Sequence, residues 1–328
     1  MLAGLWGVQA TLSAVDPYPV ESMLMSSLAL QRVVLVAACL LWNLAGAADV
    51  AKPDAPKVAQ PAASADKSAA AGAEVRLYAL DCGRLEFKEM GFFSDTGEYD
   101  GTSGKLFASC YVIKHPKGTL LWDTGLGDKI AESPQGVDLF GGLIHESVPV
   151  TLQAQLKEIG LAPADVSFVA FSHLHADHAG NANLFAASTW ILNPKEVAWA
   201  TATPPPLGVD PSVFSSYKNA KTQSIDGDYD VFGDGSVKIL KAPGHTPGHA
   251  VLQVKLKKAG VVILSGDLYH LRESRAFGRV PTFNDSRADS LASIARIEKI
   301  VKNTKARFVI QHNGDDFKTL PKFPAFLD

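Results

Sequence analysis

Ser172-His173-Leu174-His175-Ala176-Asp177-His178-Ala179-Gly180 holds three imidazoles and a carboxylate within six residues, immediately after the apolar run Val166-Ser167-Phe168-Val169-Ala170-Phe171. A short apolar run of this kind reads as a buried strand, so the polar cluster leaves from a strand's carboxyl end. Neutral imidazole and carboxylate are ligands that suit zinc. Further along, the strand-like Val237-Lys238-Ile239-Leu240 runs to Pro243-Gly244-His245. Val261-Val262-Ile263-Leu264 runs to Gly266-Asp267, and Phe308-Val309-Ile310 runs to His312. Four apolar strands thus each deliver a His or Asp at the carboxyl end, the edge where ligands bind in layered α/β folds. Any one of these residues could be an ordinary polar loop residue. Together they exceed the needs of one tetrahedral site and imply two metal ions.

The rest of the downstream pattern also alternates strands and helices. Val75 to Leu80, Phe107 to Ile113 and Thr119 to Trp122 have strand periodicity, and Lys114-His115-Pro116-Lys117-Gly118 reads as a hairpin turn with His115 at the solvated surface. Val150 to Ile159 is helical with Gly160 as its stop. Asp285 or Ser286 caps a second helix bearing Leu291, Ile294, Ile297, Ile300 and Val301. Residues 91–105, rich in Gly, Ser, Thr and Asp, read as a long mobile loop. Cys82 and Cys110 are expected as two buried unpaired thiols, with pairing in an oxidising compartment as the alternative.

The 328 residues are 47% hydrophobic and 20% charged, which excludes a wholly disordered chain, and the net charge of −3 gives no basic footprint for nucleic acid. All nine histidines lie downstream of residue 114, whereas the amino-terminal end has a different character. Arg32, the apolar run Val33 to Leu44 and Ala45-Gly46-Ala47 form the three parts of a secretory signal, with cleavage expected after Ala47. The run is too short for a comfortable membrane span, so no stable membrane insertion is expected after cleavage. An uncleaved anchor, or a lipid on Cys39, is the alternative. Residues 1–48 are therefore assigned to an upstream extension and signal, 49–73 to a disordered Ala/Pro-rich linker, and 74–328 to one catalytic domain in the periplasm or outside the cell.

SHLHADHAG at 172–180, APGHTPGH at 242–249, SGDLY at 265–269, LLWDTG at 120–125 and the strand-terminal His312 together resemble the metallo-β-lactamase superfamily. The resemblance implies an α/β fold, the αβ/βα four-layer sandwich, with a dinuclear zinc centre on one edge, other divalent metals being compatible. By the same resemblance His173, His175 and His245 hold one ion, Asp177, His178 and His312 hold the other, and Asp267 bridges them. Asp123 takes a supporting role. Within the superfamily, LYALDCGRL at 77–85, HADHAGNANLF at 175–185 and the 22-residue step from His245 to Asp267 are similar to the quorum-quenching N-acyl-homoserine lactonases. Such enzymes open a lactone ring by attack of a metal-bridging hydroxide, and Asp177 is placed to move the proton to the leaving oxygen.

One position departs from that pattern. Lactonases often carry a tyrosine three residues after the bridging aspartate; here the residue is His270, with Tyr269 adjacent. His270 is either the catalytic donor to the substrate carbonyl or a packed strand-end residue. His249 reads as a supporting or packing group and His145 as a pocket or surface residue. Phe92, Phe93, Leu139, Phe140, Leu143 and Ile144 are candidates for an acyl-chain groove. Competing functions are β-lactam or organophosphate ester hydrolysis at the same centre, or metal binding without turnover. The partner expected is a small acylated lactone, and the oligomeric state stays open.

Overall fold

A computed structural model describes residues 74–328 of the chain. The proposed signal, its cleavage site and the linker lie outside the described residues. Among the described residues thirteen strands form two sheets. The first contains β1 (Arg76–Phe87), β2 (Gly104–His115), β3 (Gly118–Trp122), β4 (Val137–Leu139), β5 (Ile144–Ser147), β6 (Phe168–Ala170), β7 (Thr189–Leu192) and β8 (Lys221–Ser224), in the order β4-β5-β1-β2-β3-β6-β7-β8. The second contains β9 (Tyr229–Asp230), β10 (Val237–Lys241), β11 (Ala250–Leu256), β12 (Gly260–Leu264) and β13 (Arg307–Val309), in the order β13-β12-β11-β10-β9. The helices are α1 (Leu152–Glu158), α2 (Ala176–Ala179), α3 (Pro194–Ala200), α4 (Arg272–Phe277), α5 (Arg287–Thr304) and α6 (Gly314–Lys318). Among the described residues no helix is long and apolar enough to cross a membrane.

The period of two along each strand builds the layers. Leu77, Tyr111, Ile113 and Trp122 point to a core shared with Ile239, Leu252, Val262 and Leu264 of the second sheet. Their alternates Tyr78, Leu80, Cys110 and Val112 point the other way, onto Leu152 and Leu156 of α1 and Ala200 of α3. On the far side, Leu240, Val251 and Ile263 pack against Ile297, Ile294, Ile300 and Val301 of α5. The result is helix, sheet, sheet, helix. Those large apolar side chains among them that are fully buried, such as Trp122, Leu252 and Ile297, each contribute about 1.5–3 kcal/mol of transfer free energy. Ser286 caps α5, its side chain accepting from Asp289 N.

Three expectations need correction. Cys82 and Cys110 are paired in a disulfide. They sit on neighbouring antiparallel strands, β1 and β2, with Cα atoms 5.8 Å apart, within the range a disulfide spans. His115 stacks on Phe232 with ring centroids 4.0 Å apart and bonds Asp234 at 2.9 Å, so its ring is packed and not solvated. Residues 91–105 are no free flap. A 3-10 turn at Gly91–Phe93 buries Phe93, and the segment is tied to residues 279–287 by Asp95 N to Val280 O (2.8 Å), Thr282 N to Phe92 O (2.9 Å), Arg279 to Tyr99 and Arg287 to Asp95.

Candidate metal centre

The loops after β6, β10, β12 and β13 meet on one edge of the sandwich. β6 and β13 run parallel to neighbours that end at the same edge, β3 and β12 respectively, which brings Asp123, His173, Asp267 and His312 to one level. There the described residues group as His173, His175, His245 and Asp267; as Asp177, His178 and His312; and as Asp267, His270 and His312, the donor atoms of each group lying within 4.8 Å of one another. All but Asp177 are buried. The first group brings His173, His175 and His245 together with Asp267, and the second brings together Asp177, His178 and His312.

The ring nitrogens converge as a cation's ligands do. His173 Nε2 is 2.8 Å from His175 Nδ1, His245 Nε2 is 3.2 and 3.1 Å from these two atoms, and His178 Nε2 is 3.2 Å from His312 Nε2. Three mutually facing nitrogens cannot all be satisfied by protons on one another. Asp267 lies between the sets. Its Oδ1 is 3.1 and 3.0 Å from His178 and His312 Nε2, and its Oδ2 is 3.3 Å from His245 Nε2 and 3.7 Å from His173 Nε2. Oδ1 is buried without a hydrogen-bond partner, an arrangement that a cation would satisfy. The donor set therefore fits a pair of divalent ions.

Outward-facing contacts aim these rings. His178 Nδ1 donates to Asp123 Oδ2 (3.0 Å), His245 Nδ1 to Asn284 Oδ1 (2.9 Å) and His312 Nδ1 to the Phe107 carbonyl (2.9 Å), and His173 Nδ1 lies 3.0 Å from Ser172 Oγ. Fixing one nitrogen in this way turns the other toward the metal. Asp123, fully buried, also accepts from Ser172 N (2.6 Å), Ser172 Oγ (3.0 Å) and Gln311 Nε2 (2.8 Å). Gln311 Oε1 in turn accepts from Trp122 Nε1 and Gly266 N. His249 accepts from Asp267 N at 2.9 Å and donates to the Ala242 carbonyl at 2.8 Å, which makes it a support for Asp267.

Electrostatics divides the two sets. Burial pushes His173 and His245 well below the ordinary imidazole value and His175 down to about 4, leaving these rings neutral. Burial opposes charge on His178 and His312 too, but Asp267 and Asp177 outweigh it and hold both above that value. Asp267 is held well below the usual carboxylate range by the surrounding imidazoles, His312 and His178 foremost, against its burial.

His270 is buried beside this cluster. Its Nε2 is 2.9 Å from Asp267 Oδ2, its ring stacks on His312 at 5.3 Å, and Phe93 and Phe283 enclose it, while Nδ1 has no partner. Tyr269 points away, into the α5 side, with its hydroxyl on Glu298. His145 pairs with Asp138 in the β4–β5 hairpin.

A cleft of about 820 Å³ opens beside Ala176. Its apolar wall comes from Leu126, Ile130, Ala131, Leu184 and Val213, and Glu146 lines it as well. Burial, and then Asp177, raise the Glu146 carboxyl to about 7. None of the six groove residues expected from sequence lines this cleft. Phe93 is buried over His270, while Phe92, Phe140 and Leu143 are exposed elsewhere on the surface. The residues that line this cleft sit on segments whose approach to one another is set only by tertiary packing.

Glu196 on α3 was likewise silent in the sequence. Its carboxylate is buried beside the ligand loops, and no motif marks it.

Comparison with known proteins follows the same lines. Residues 103–312 match the metallo-beta-lactamase superfamily. The chain is 30% identical over 268 residues to the N-acyl homoserine lactonase AttM of Azorhizobium caulinodans, covering 78% of this chain and 99% of that protein. It is 29% identical over 236 residues to the N-acyl homoserine lactonase AiiA of Bacillus thuringiensis subsp. kurstaki, covering 69% and 90%. A solved N-acyl homoserine lactone hydrolase, with the product N-hexanoyl-L-homoserine bound at its catalytic metal center, superposes with a TM-score of 0.67 at 25% identity, over 76% of this chain and 98% of that one. With its sandwich, its ligand-bearing strand ends and these matches, the chain belongs to the metallo-beta-lactamase superfamily.

Proposed function

We propose that this chain is a dinuclear-zinc hydrolase that opens the lactone ring of N-acyl-homoserine lactones. The observation that carries this reading is the convergence of five buried imidazoles and Asp267 on one sheet edge, with Asp177 and an apolar-walled cleft beside them. The relatives named above are lactonases, which supports the same substrate class. When bound, two zinc ions there supply a water of lowered pKa and a Lewis acid for the ring carbonyl.

The protein's own groups do the rest. His173, His175 and His245 are one ligand set and Asp177, His178 and His312 the other, with one Asp267 oxygen turned to each. Asp177 is the one ligand-type side chain with solvent access, its Oδ2 3.5 Å from His312 Nε2, and it holds the proton that passes to the departing ring oxygen. His270 Nε2 lies 2.9 Å from Asp267 Oδ2, and with that oxygen committed to a metal ion the Nε2–H would be free to donate to a carbonyl held over the same edge. Leu126, Ile130, Leu184 and Val213 take the acyl chain, and Ala176, between the ligands, leaves room beside the ions.

The protein works in the periplasm or outside the cell after cleavage at Ala47. The Cys82–Cys110 disulfide supports an oxidising compartment. A substrate panel tests the reading. Acid release from hexanoyl-homoserine lactone at least a hundredfold faster than cleavage of a β-lactam or a phosphotriester is the expected result. A lactam or phosphotriester as the better substrate overturns the lactone assignment.

A further inference from the structure

Glu196 lies in the first turn of α3, a carboxylate with only 4% of the residue exposed. Its Oε1 accepts from Leu174 N at 2.9 Å, and its Oε2 accepts from Thr246 Oγ1 at 2.7 Å and from Gly248 N at 2.9 Å. Leu174 stands between His173 and His175. Thr246 follows His245 directly, and Gly248 comes two residues later. The three neutral donors therefore belong to two loops more than 70 residues apart in sequence, and those loops carry all three histidines of one ligand set.

A buried carboxylate is costly unless donors compensate it, and here every donor comes from a ligand loop. The packing agrees. A Cβ on Gly248 would come within 2.5 Å of Glu196 Cβ and 3.0 Å of its Oε2. The glycine of the Pro247-Gly248-His249 turn is therefore what lets the His245 loop approach the carboxylate. The opposite ligand set has other supports: Asp123 holds His178, and the Phe107 carbonyl holds His312.

We propose that Glu196 is a positioning residue that clamps the His173/His175 loop to the His245 loop and so sets the affinity of that one metal site. It belongs to none of the groups of candidate ligands. The inference rests on the metal reading given above. Glutamine cannot replace it, because one of its two oxygens becomes an NH2 group that faces N–H donors. The least damaging orientation turns the amide toward Thr246, whose hydroxyl can accept, and strands Gly248 N.

Zinc-loaded wild type, Glu196→Gln and Thr246→Val are challenged with excess chromophoric chelator, and the release of the two ions is followed in time. The phase belonging to the first set is identified by its absence from His245→Ala. Glu196→Gln should accelerate that phase at least tenfold and leave the other within about twofold. Thr246→Val, which deletes one hydroxyl at nearly constant shape, should accelerate the same phase by a smaller factor. Equal acceleration of both phases means general loosening and overturns the proposal, as does no acceleration. If Glu196→Gln does not fold, the outcome rests on Thr246→Val, and unchanged release from that variant overturns the proposal. A wild-type protein that holds no zinc overturns this inference and the metal reading together.

Discussion

Asp123→Asn separates charge from shape at the most heavily bonded side chain under the metal centre. Asp123 is fully buried and accepts four hydrogen bonds, one at Oδ1 from Ser172 N and three at Oδ2 from Ser172 Oγ, His178 Nδ1 and Gln311 Nε2. Its φ of 57° lies in the left-handed region, which asparagine tolerates as well as aspartate does, so the substitution adds little backbone strain. The cheaper orientation of the amide keeps oxygen at the three-donor corner and sets NH2 against Ser172 N. That leaves one buried donor unpaired, at about 1–3 kcal/mol. The remaining bonds lose their charge assistance, roughly another 2 kcal/mol in total, and removal of a buried charge returns part of the loss. The net expectation is about 2–4 kcal/mol of stability, a fall in Tm of roughly 5–15 °C for a domain of this size. Zinc affinity should fall 10–100-fold, because His178 loses the acceptor that orients it. Calorimetry and zinc competition with a chelator measure both. A Tm within about 2 °C of wild type together with unchanged zinc affinity would refute the role given to Asp123.

Other perturbations read other parts of the account. His270→Phe should lower kcat on hexanoyl-homoserine lactone about 100-fold with a smaller change in KM, and His270→Tyr should restore most of it; unchanged kcat in the phenylalanine variant removes the donor role. Replacing Cys82 and Cys110 together by serine opens a loop of 28 residues, and the chain-entropy relation gives a loss of about 3–4 kcal/mol. Urea unfolding reads it, and an unchanged midpoint contradicts it. Glu146 has a folded-state pKa raised to about 7, so its contribution to stability is fully present below its unfolded value near 4.5 and is lost as pH rises through 7. The upper limit is about 3 kcal/mol. In the metal-free protein, Glu146→Gln should therefore gain on wild type between pH 5 and pH 8, and parallel urea midpoints at the two pH values would contradict this.

The cluster of candidate ligands was legible in the sequence because its chemistry is local. Imidazoles spaced as in His173, His175 and His178 have few other uses, and each further ligand stands at the end of a run whose apolarity marks a buried strand. The layers were legible for a similar reason, since alternation in Leu77-Tyr78-Ala79-Leu80 already encodes two faces. The supports were legible only in part: Asp123 and His249 read as supporting residues, whereas Glu196 and Gln311 act through bonds to loops distant in sequence, among them the amides of Leu174, Gly248 and Gly266, and nothing in their neighbours announces those bonds. The disulfide depended on β1 and β2 being paired in the register that sets Leu80 opposite Cys110. With that register Gly125 becomes obligatory, because a Cβ there would come within 2.2 Å of Cys82 Cβ. The cleft was not legible, because its wall is made by Leu126, Ile130, Leu184 and Val213 from separate loops, while exposed aromatics such as Phe140 attract attention in a sequence.

The central claim, a two-metal site that hydrolyses lactones, is met most directly by adding zinc stepwise to metal-free protein and recording acid release from hexanoyl-homoserine lactone at each step. The account predicts no turnover without zinc and a rise that ends at two equivalents per chain. Turnover in the metal-free protein, or a loaded protein that releases no acid from the lactone, would contradict it.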